Sequence, residues 1–308
     1  MSKKVLVATE KPFAKDAVEG IKKIAAEANY DVVMLENYTD PNDLIKAVAD
    51  VDAMIIRSDL VTPEVLSAAN NLKIVVRAGA GYDNINLAAA KERGVVAMNT
   101  PGQNSNAVAE SVFGFMLMLA RRHFSGKSGT ELRGKKLGLH AYGYVSKAAN
   151  TIAKGFGMEV YAYDPFVSKD NMKADGVIPV DAAEELYKTC DYVSLHMPKT
   201  KETVGSINYD LMSKMKKGAT LINTAREEVV DEPSLLKMFE ERKDFRYGAD
   251  VAPKCKDELA QKYADRIFFS AKKMGAQTEE ANNNAGIAAI RQIINFFEKG
   301  DTTFQVNK

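Results

Sequence analysis

The chain has 308 residues, 46% of them hydrophobic and 27% charged, with 42 basic against 41 acidic side chains. This is the composition of a globular protein of about two domains, and it excludes a disordered chain or a coiled coil. A net charge of +1 creates no overall field to recruit nucleic acid or a membrane surface, so neither is expected as a partner.

Cys190 and Cys255 form no C-x-x-C pair, so no disulfide framework, zinc site or other metal is expected. The opening Met1-Ser-Lys-Lys leads straight into a strand-like run without a signal-peptide core, which makes a cytoplasmic location the expectation.

In chain order, strand candidates fall at residues 5–9, 32–35, 53–56, 74–77 and 95–98. Amphipathic helical stretches at 14–27, 41–49 and 63–69 alternate with them. Residues 107–120 are then apolar nearly throughout, with Glu110 inside and Arg121-Arg122-His123 behind. Fourteen residues are too few to span a bilayer, so a buried helix is predicted. Its cover should come from two domains or from a second subunit. The strand pattern restarts at 136–140, 159–163, 192–195, 220–223, 247–251 and 267–270, and 281–299 reads as a long closing helix. Alternation of this kind predicts parallel sheets built from βαβ units. Two such series give an α/β protein of two doubly wound domains, and the closing helix has its simplest destination back on the first.

The second series opens with Lys136-Leu-Gly-Leu-His140, followed by Ala141-Tyr-Gly143-Tyr144-Val145-Ser146. A dinucleotide-binding turn needs small residues so that backbone approaches a pyrophosphate at a helix N-terminus. Asp164 stands 21 residues after Gly143, where an acid accepts from the adenosine ribose hydroxyls. Only one glycine of three is present, so an ordinary strand-to-helix turn with a surface aspartate is the competing reading. An acid at this position repels a 2′-phosphate and favours NAD over NADP.

Several segments together resemble the D-isomer-specific 2-hydroxyacid dehydrogenases. They are Ile56-Arg57-Ser58, the run from Leu72 through Arg77-Ala-Gly79-Ala80 to Asn84, and Asn99-Thr-Pro-Gly-Gln-Asn104. Val108-Ala-Glu110, Tyr163-Asp-Pro-Phe166, Leu195-His196-Met-Pro198 and Leu221-Ile-Asn-Thr224-Ala-Arg226 complete the set. The resemblance runs in order over residues 3–307. It implies two Rossmann-like domains with the active site in the cleft between them. Residues 1–99 with 283–308 would form the substrate-binding domain and 100–282 the NAD-binding domain. It also implies a homodimer and a chain without the C-terminal regulatory domain of longer members.

Carried over by position, Arg226 matches the family's catalytic arginine, whose rigid fork suits a carboxylate and its neighbouring oxygen. A surface arginine after a strand is the plain alternative. Arg57, Ser58 and Arg77 match substrate-binding positions at strand ends, and two arginines suit a phosphorylated 2-hydroxyacid. Arginines also cap strands routinely. Gly79 and Ala80 fall where backbone N–H groups receive a carboxylate, and Asn104 is either near substrate or a helix cap. The cofactor positions would be Ala141, Gly143, Tyr144, Val145, Asp164, His196, Thr203, Thr224, Asp250 and Gly275.

Four places depart from the pattern. Ala141 and Ser146 replace glycines in the turn. The stretch 122–129 replaces a longer, tryptophan-containing segment that contributes to the family's dimer, and this chain has no tryptophan. Lys273 stands where most relatives carry a catalytic histidine, as in some short members, and Cys255 stands where a glutamate pairs with it. Either chemistry is lost and an NAD-binding sensor remains, or Lys273 is the acid/base. In the second case burial and the charge of Arg226 would lower the lysine from about 10.4, and the missing glutamate would assist. The implied reaction is NAD-dependent oxidation of 3-phospho-D-glycerate to 3-phosphohydroxypyruvate, the entry to serine synthesis. Hydroxypyruvate or glyoxylate reduction uses the same machinery.

Overall fold

The structure, a computed structural model, describes residues 2–308. The chain divides into two compact units, one comprising residues up to Asn104 with Thr278–Lys308 and the other Ser105–Gln277. In both units the inner strands are short, largely apolar runs buried almost throughout, as parallel strands lying under helices must be.

The first unit runs β1 (Lys3–Thr9), α1 (Lys15–Glu27), β2 (Tyr30–Glu36), α2 (Pro41–Ala47), β3 (Ala53–Ile56), α3 (Pro63–Ala68), β4 (Ile74–Arg77), α4 (Leu87–Glu92) and β5 (Val96–Asn99). All its strand pairs are parallel, in the order β2-β1-β3-β4-β5. The order reverses between β1 and β3, the point where open α/β sheets collect ligands at their C-terminal edge. Helix α2 stops at Ala47, two residues short of the predicted 49. Its start is fixed by the Asp40 carboxylate, which accepts from the Asn42 N–H ahead of the first turn, with Pro41 at the first helical position.

The second unit opens with the apolar helix α5 (Ser105–Ala120). It continues β6 (Lys136–His140), α6 (Tyr144–Gly155), β7 (Glu159–Tyr163), α7 (Lys169–Ala174), β8 (Ile178–Pro179), α8 (Ala183–Thr189), β9 (Tyr192–Leu195) and α9 (Tyr209–Met212). It ends with β10 (Thr220–Asn223), α10 (Glu232–Glu241), β11 (Arg246–Ala249), α11 (Lys256–Tyr263) and β12 (Ile267–Phe269). The seven strands are parallel in the order β12-β11-β10-β9-β6-β7-β8, with the reversal between β6 and β9. Helix α5 packs on α6, β10, β11 and β12 of this unit, while Glu110 and Gly114 face solvent. After it, Arg122, His123 and Phe124 all adopt left-handed backbone, with φ of 48°, 54° and 52°.

The chain then returns to the first unit as α12 (Glu279–Lys299), which packs on α1, β3 and β4. Gly300 closes this helix in the left-handed conformation. Among the described residues no helix is long and apolar enough to cross a membrane.

Candidate active site

In the second unit the A-x-G-x-x-S turn joins β6 to α6 at the strand-order reversal. Ala141 adopts φ +74°, a left-handed conformation that an L-residue enters at a cost and glycine enters freely. Ser146 is fully buried and its hydroxyl donates to the Ala141 carbonyl at 2.7 Å. Gly143 precedes the first turn of α6, and nothing lies within 4 Å of where its Cβ would be. Asp164 belongs to the same construction. Its carboxylate accepts from the Tyr142 N–H and the Phe166 N–H, each at 2.7 Å. Tyr144 is well exposed at the start of α6, with Val145 next to it half-buried, and Phe166 projects from its turn almost wholly exposed.

The neighbouring strand ends supply further polar groups. His196 follows β9, and its N–H donates to the His140 carbonyl at 3.0 Å. Burial holds the His140 imidazole down to about 4, and burial followed by the nearby His140 holds His196 down to about 3. Both rings are therefore neutral near pH 7. His196 Nε2 and the Thr224 hydroxyl are buried with no hydrogen-bond partner among the described residues. Such groups carry a desolvation cost that a polar ligand would offset. Thr203 instead closes its own loop, donating to the Pro198 carbonyl at 2.6 Å.

Asp250, 2% exposed, leaves β11 and clamps the turn that carries Lys273. Its carboxylate accepts from the Ser270 hydroxyl at 3.0 Å, the Met274 N–H at 2.7 Å and the Gly275 N–H at 2.9 Å. A Cβ on Gly275 would lie 2.9 Å from Asp250 Oδ2 and 3.0 Å from Ser111 Oγ, so a side chain there would displace the clamp. Lys273 itself is exposed on this turn. The lysine is thus exposed where burial was expected, while Gly275 on the same turn is buried.

Arg226 follows β10, with its backbone held by Asn223. The Asn223 side chain donates to the Arg226 carbonyl at 2.9 Å and accepts from the Ala225 N–H at 3.0 Å. Cys255 is half-buried against the core around Tyr247, and its thiol is pushed up to about 11 by burial and then by Glu232. Glu232 also accepts from the Lys254 N–H at 2.8 Å, so a carboxylate stands beside Cys255 although the glutamate expected from the family is missing.

In the first unit Arg57 and Arg77 leave the ends of β3 and β4 and meet. Arg77 Nε donates to the Arg57 carbonyl at 3.0 Å. The Arg57 guanidinium donates to the carbonyls of Lys11 and Pro12 at 3.0 and 2.8 Å and to Asn282 Oδ1 at 2.6 Å, and it lies over the Phe13 ring. Burial lowers its pKa, and the charge of Asp59 opposes that shift. The Arg77 guanidinium occupies the space where a Gly79 Cβ would be, and the Gly79 N–H donates to the Arg77 carbonyl at 2.9 Å. That N–H, expected to meet a carboxylate, is thus engaged within its own turn. Ser58 and Ala80 are exposed beside these groups, and Asn104 directly precedes α5.

Sequence reasoning missed Asp59, Tyr38 and Asn84, which surround Arg57. The available signal was an aspartate two positions after an arginine at a strand exit.

The chain belongs to the D-isomer-specific 2-hydroxyacid dehydrogenases, and the family's NAD-binding domain matches residues 107–266. It is similar to the hydroxypyruvate reductase of Thermotoga maritima, at 34% identity over 85% of this chain and 90% of that one. It is also similar to the D-3-phosphoglycerate dehydrogenase of Archaeoglobus fulgidus, at 35% identity over 95% of this chain. The chain spans only 57% of that longer relative. Among solved structures, the NAD+-bound 3-phosphoglycerate dehydrogenase of Entamoeba histolytica superposes with a TM-score of 0.91 and 45% identity, covering 100% of this chain and 99% of that one. The two-domain α/β architecture expected from the strand series is borne out. The open Gly143 cradle and the orphaned Thr224 and His196 atoms fit a dinucleotide.

Proposed function

We propose that the protein oxidises 3-phospho-D-glycerate to 3-phosphohydroxypyruvate with NAD and catalyses the reverse reduction. The observation that carries this reading is the pair Arg57 and Arg77, joined through the Arg57 carbonyl at the C-terminal edge of one sheet. Two guanidinium groups on one edge match a dianionic phosphate in charge. The full-length similarity to the Entamoeba enzyme supports the same substrate.

In this mechanism Arg226 binds the substrate carboxylate and polarises the 2-oxygen. Lys273 accepts the hydroxyl proton during oxidation and returns it during reduction. When bound, NAD would supply the acceptor for the hydride leaving C2. Gly143, Tyr144 and Val145 would hold its pyrophosphate at the start of α6, Asp164 its ribose, and Thr224 and His196 its remaining polar groups. Asp250 holds the turn on which Lys273 is mounted, so the lysine is presented from a fixed backbone.

The Thermotoga relative, matched over 90% of its length, favours hydroxypyruvate as a second substrate reading. An NADH-consumption assay with phosphohydroxypyruvate, hydroxypyruvate and glyoxylate separates the two. A kcat/KM at least tenfold higher for the phosphorylated acid (about 1.4 kcal/mol of discrimination) is expected. Equal or greater efficiency on hydroxypyruvate would overturn the reading. Cofactor binding without turnover of any of the three would leave a sensor.

A further inference from the structure

A carboxylate inside a protein is costly unless donors occupy its oxygens. Asp59 is 1% exposed and lies beside the strand-order reversal of the first unit, just past the end of β3. Its Oδ1 accepts from the Glu10 N–H at 2.8 Å and from the Tyr38 hydroxyl at 2.7 Å. Its Oδ2 accepts from the Arg57 N–H at 3.0 Å. These donors come from the exits of β1, β2 and β3, three neighbours in the sheet.

The network continues through the backbone. Asn84 Nδ2 donates to the Asp59 carbonyl at 2.7 Å and to the Arg57 carbonyl at 3.2 Å. The Arg57 carbonyl is the same atom that receives Arg77 Nε at 3.0 Å. The guanidinium nitrogens of Arg57, meanwhile, turn to Lys11, Pro12 and Asn282. The nearest acid therefore grips Arg57 by its main chain and leaves the guanidinium to other partners.

We propose that Asp59 is the positioning residue for the phosphate-binding arginines: it fixes the backbone of Arg57 and, through the Arg57 carbonyl, the reach of Arg77, without capturing a guanidinium charge. This deepens the proposed function and rests on it. A carboxylate is required because both oxygens face backbone N–H groups. An asparagine must direct its own NH2 at Glu10 or at Arg57, whichever way it is flipped.

The test uses the full chain, with steady-state NADH oxidation against phosphohydroxypyruvate and hydroxypyruvate and NADH binding followed by fluorescence. Asp59→Asn is expected to raise the KM for phosphohydroxypyruvate about ten- to thirtyfold. The kcat, the KM for hydroxypyruvate and NADH affinity should each stay within about threefold, because none of them depends on where the arginine pair is held. Tyr38→Phe removes one donor and keeps the carboxylate, so the same KM should rise about two- to fivefold. If Asp59→Asn does not fold, Tyr38→Phe decides: a selective rise supports the inference and an unchanged KM overturns it. Equal losses on both substrates, or a KM indifferent to Asp59 in an active protein, overturn the inference alone. Failure of the unaltered protein to reduce phosphohydroxypyruvate overturns the proposed substrate and this inference together.

Discussion

The Ser146 hydroxyl donates to the carbonyl of Ala141 at 2.7 Å, across a turn in which Ala141 is held at φ +74°. The serine thus secures a backbone conformation that the alanine resists. Two departures from a glycine-rich turn compensate each other: one introduces strain, and the other ties the strained residue down.

Ala141→Gly should therefore stabilise the protein. Relief of a left-handed alanine is worth about 1–2 kcal/mol, offset by about 0.5–1 kcal/mol of added freedom in the unfolded chain. A net gain near 0.5–1 kcal/mol corresponds to a rise of roughly 1–3 °C in Tm at this size. Calorimetry checks it; a lower Tm would show that Ala141 is not strained.

Lys273→Ala should lower kcat by about 10²–10⁴-fold while NADH still binds. Because the Asp250 clamp holds the turn through the Met274 and Gly275 N–H groups, removing the lysine side chain should leave Tm almost unchanged. Stopped-flow NADH binding beside steady-state turnover separates lost chemistry from lost cofactor. Full activity in Lys273→Ala would remove the lysine from the mechanism.

Arg57→Ala should raise the KM for phosphohydroxypyruvate by roughly ten- to a hundredfold. The effect on hydroxypyruvate, which lacks the phosphate, should be much smaller. Because Arg57 also bonds Lys11, Pro12 and Asn282, some loss of stability is expected, and the comparison of the two substrates corrects for it.

The histidine pair sets an acid limit on stability. Folded His140 and His196 take up protons only near pH 4 and 3, whereas unfolded histidines do so near 6.5. Between these values the unfolded chain binds more protons, so the stabilisation is complete above pH 6.5 and is lost as pH falls toward 4. Each histidine contributes a slope of up to about 1.4 kcal/mol per pH unit in that window. Urea midpoints at pH 7 and pH 5 should differ less in His140→Gln than in the unaltered chain. Parallel curves would show that His140 charges in the folded state.

Much of the fold was legible because parallel strands announce themselves as short runs of buried β-branched residues. Ile74–Arg77 and Thr220–Asn223 were read to the residue. Strand β8 was not, since two residues ending in a proline carry no periodicity. Within the site, Asp164 was expected from its spacing after Gly143, and Arg226 and Lys273 from the family resemblance. Asp59 stands two residues from Arg57, but its partners Glu10 and Tyr38 reach it through tertiary contacts, so its role was not legible. The exposure of Lys273 was hidden too, since the turn that carries it is held by Asp250, 23 residues earlier. Cys255 was visible as a departure, but the carboxylate of Glu232 beside it was not.

The return of α12 to the first sheet has a consequence for biosynthesis. Arg57 receives its Asn282 partner from that helix, and the Ala97 N–H and Val95 carbonyl are closed by Asn307. At about 5–20 residues per second, the ribosome needs roughly 10–35 s to pass from the end of the first segment to the start of the last. Throughout that interval the first five strands exist without their closing helix, while the second unit is being made as one uninterrupted stretch. The later unit can therefore finish before the earlier one, and the arginine edge acquires its final form only when the α12 segment has emerged.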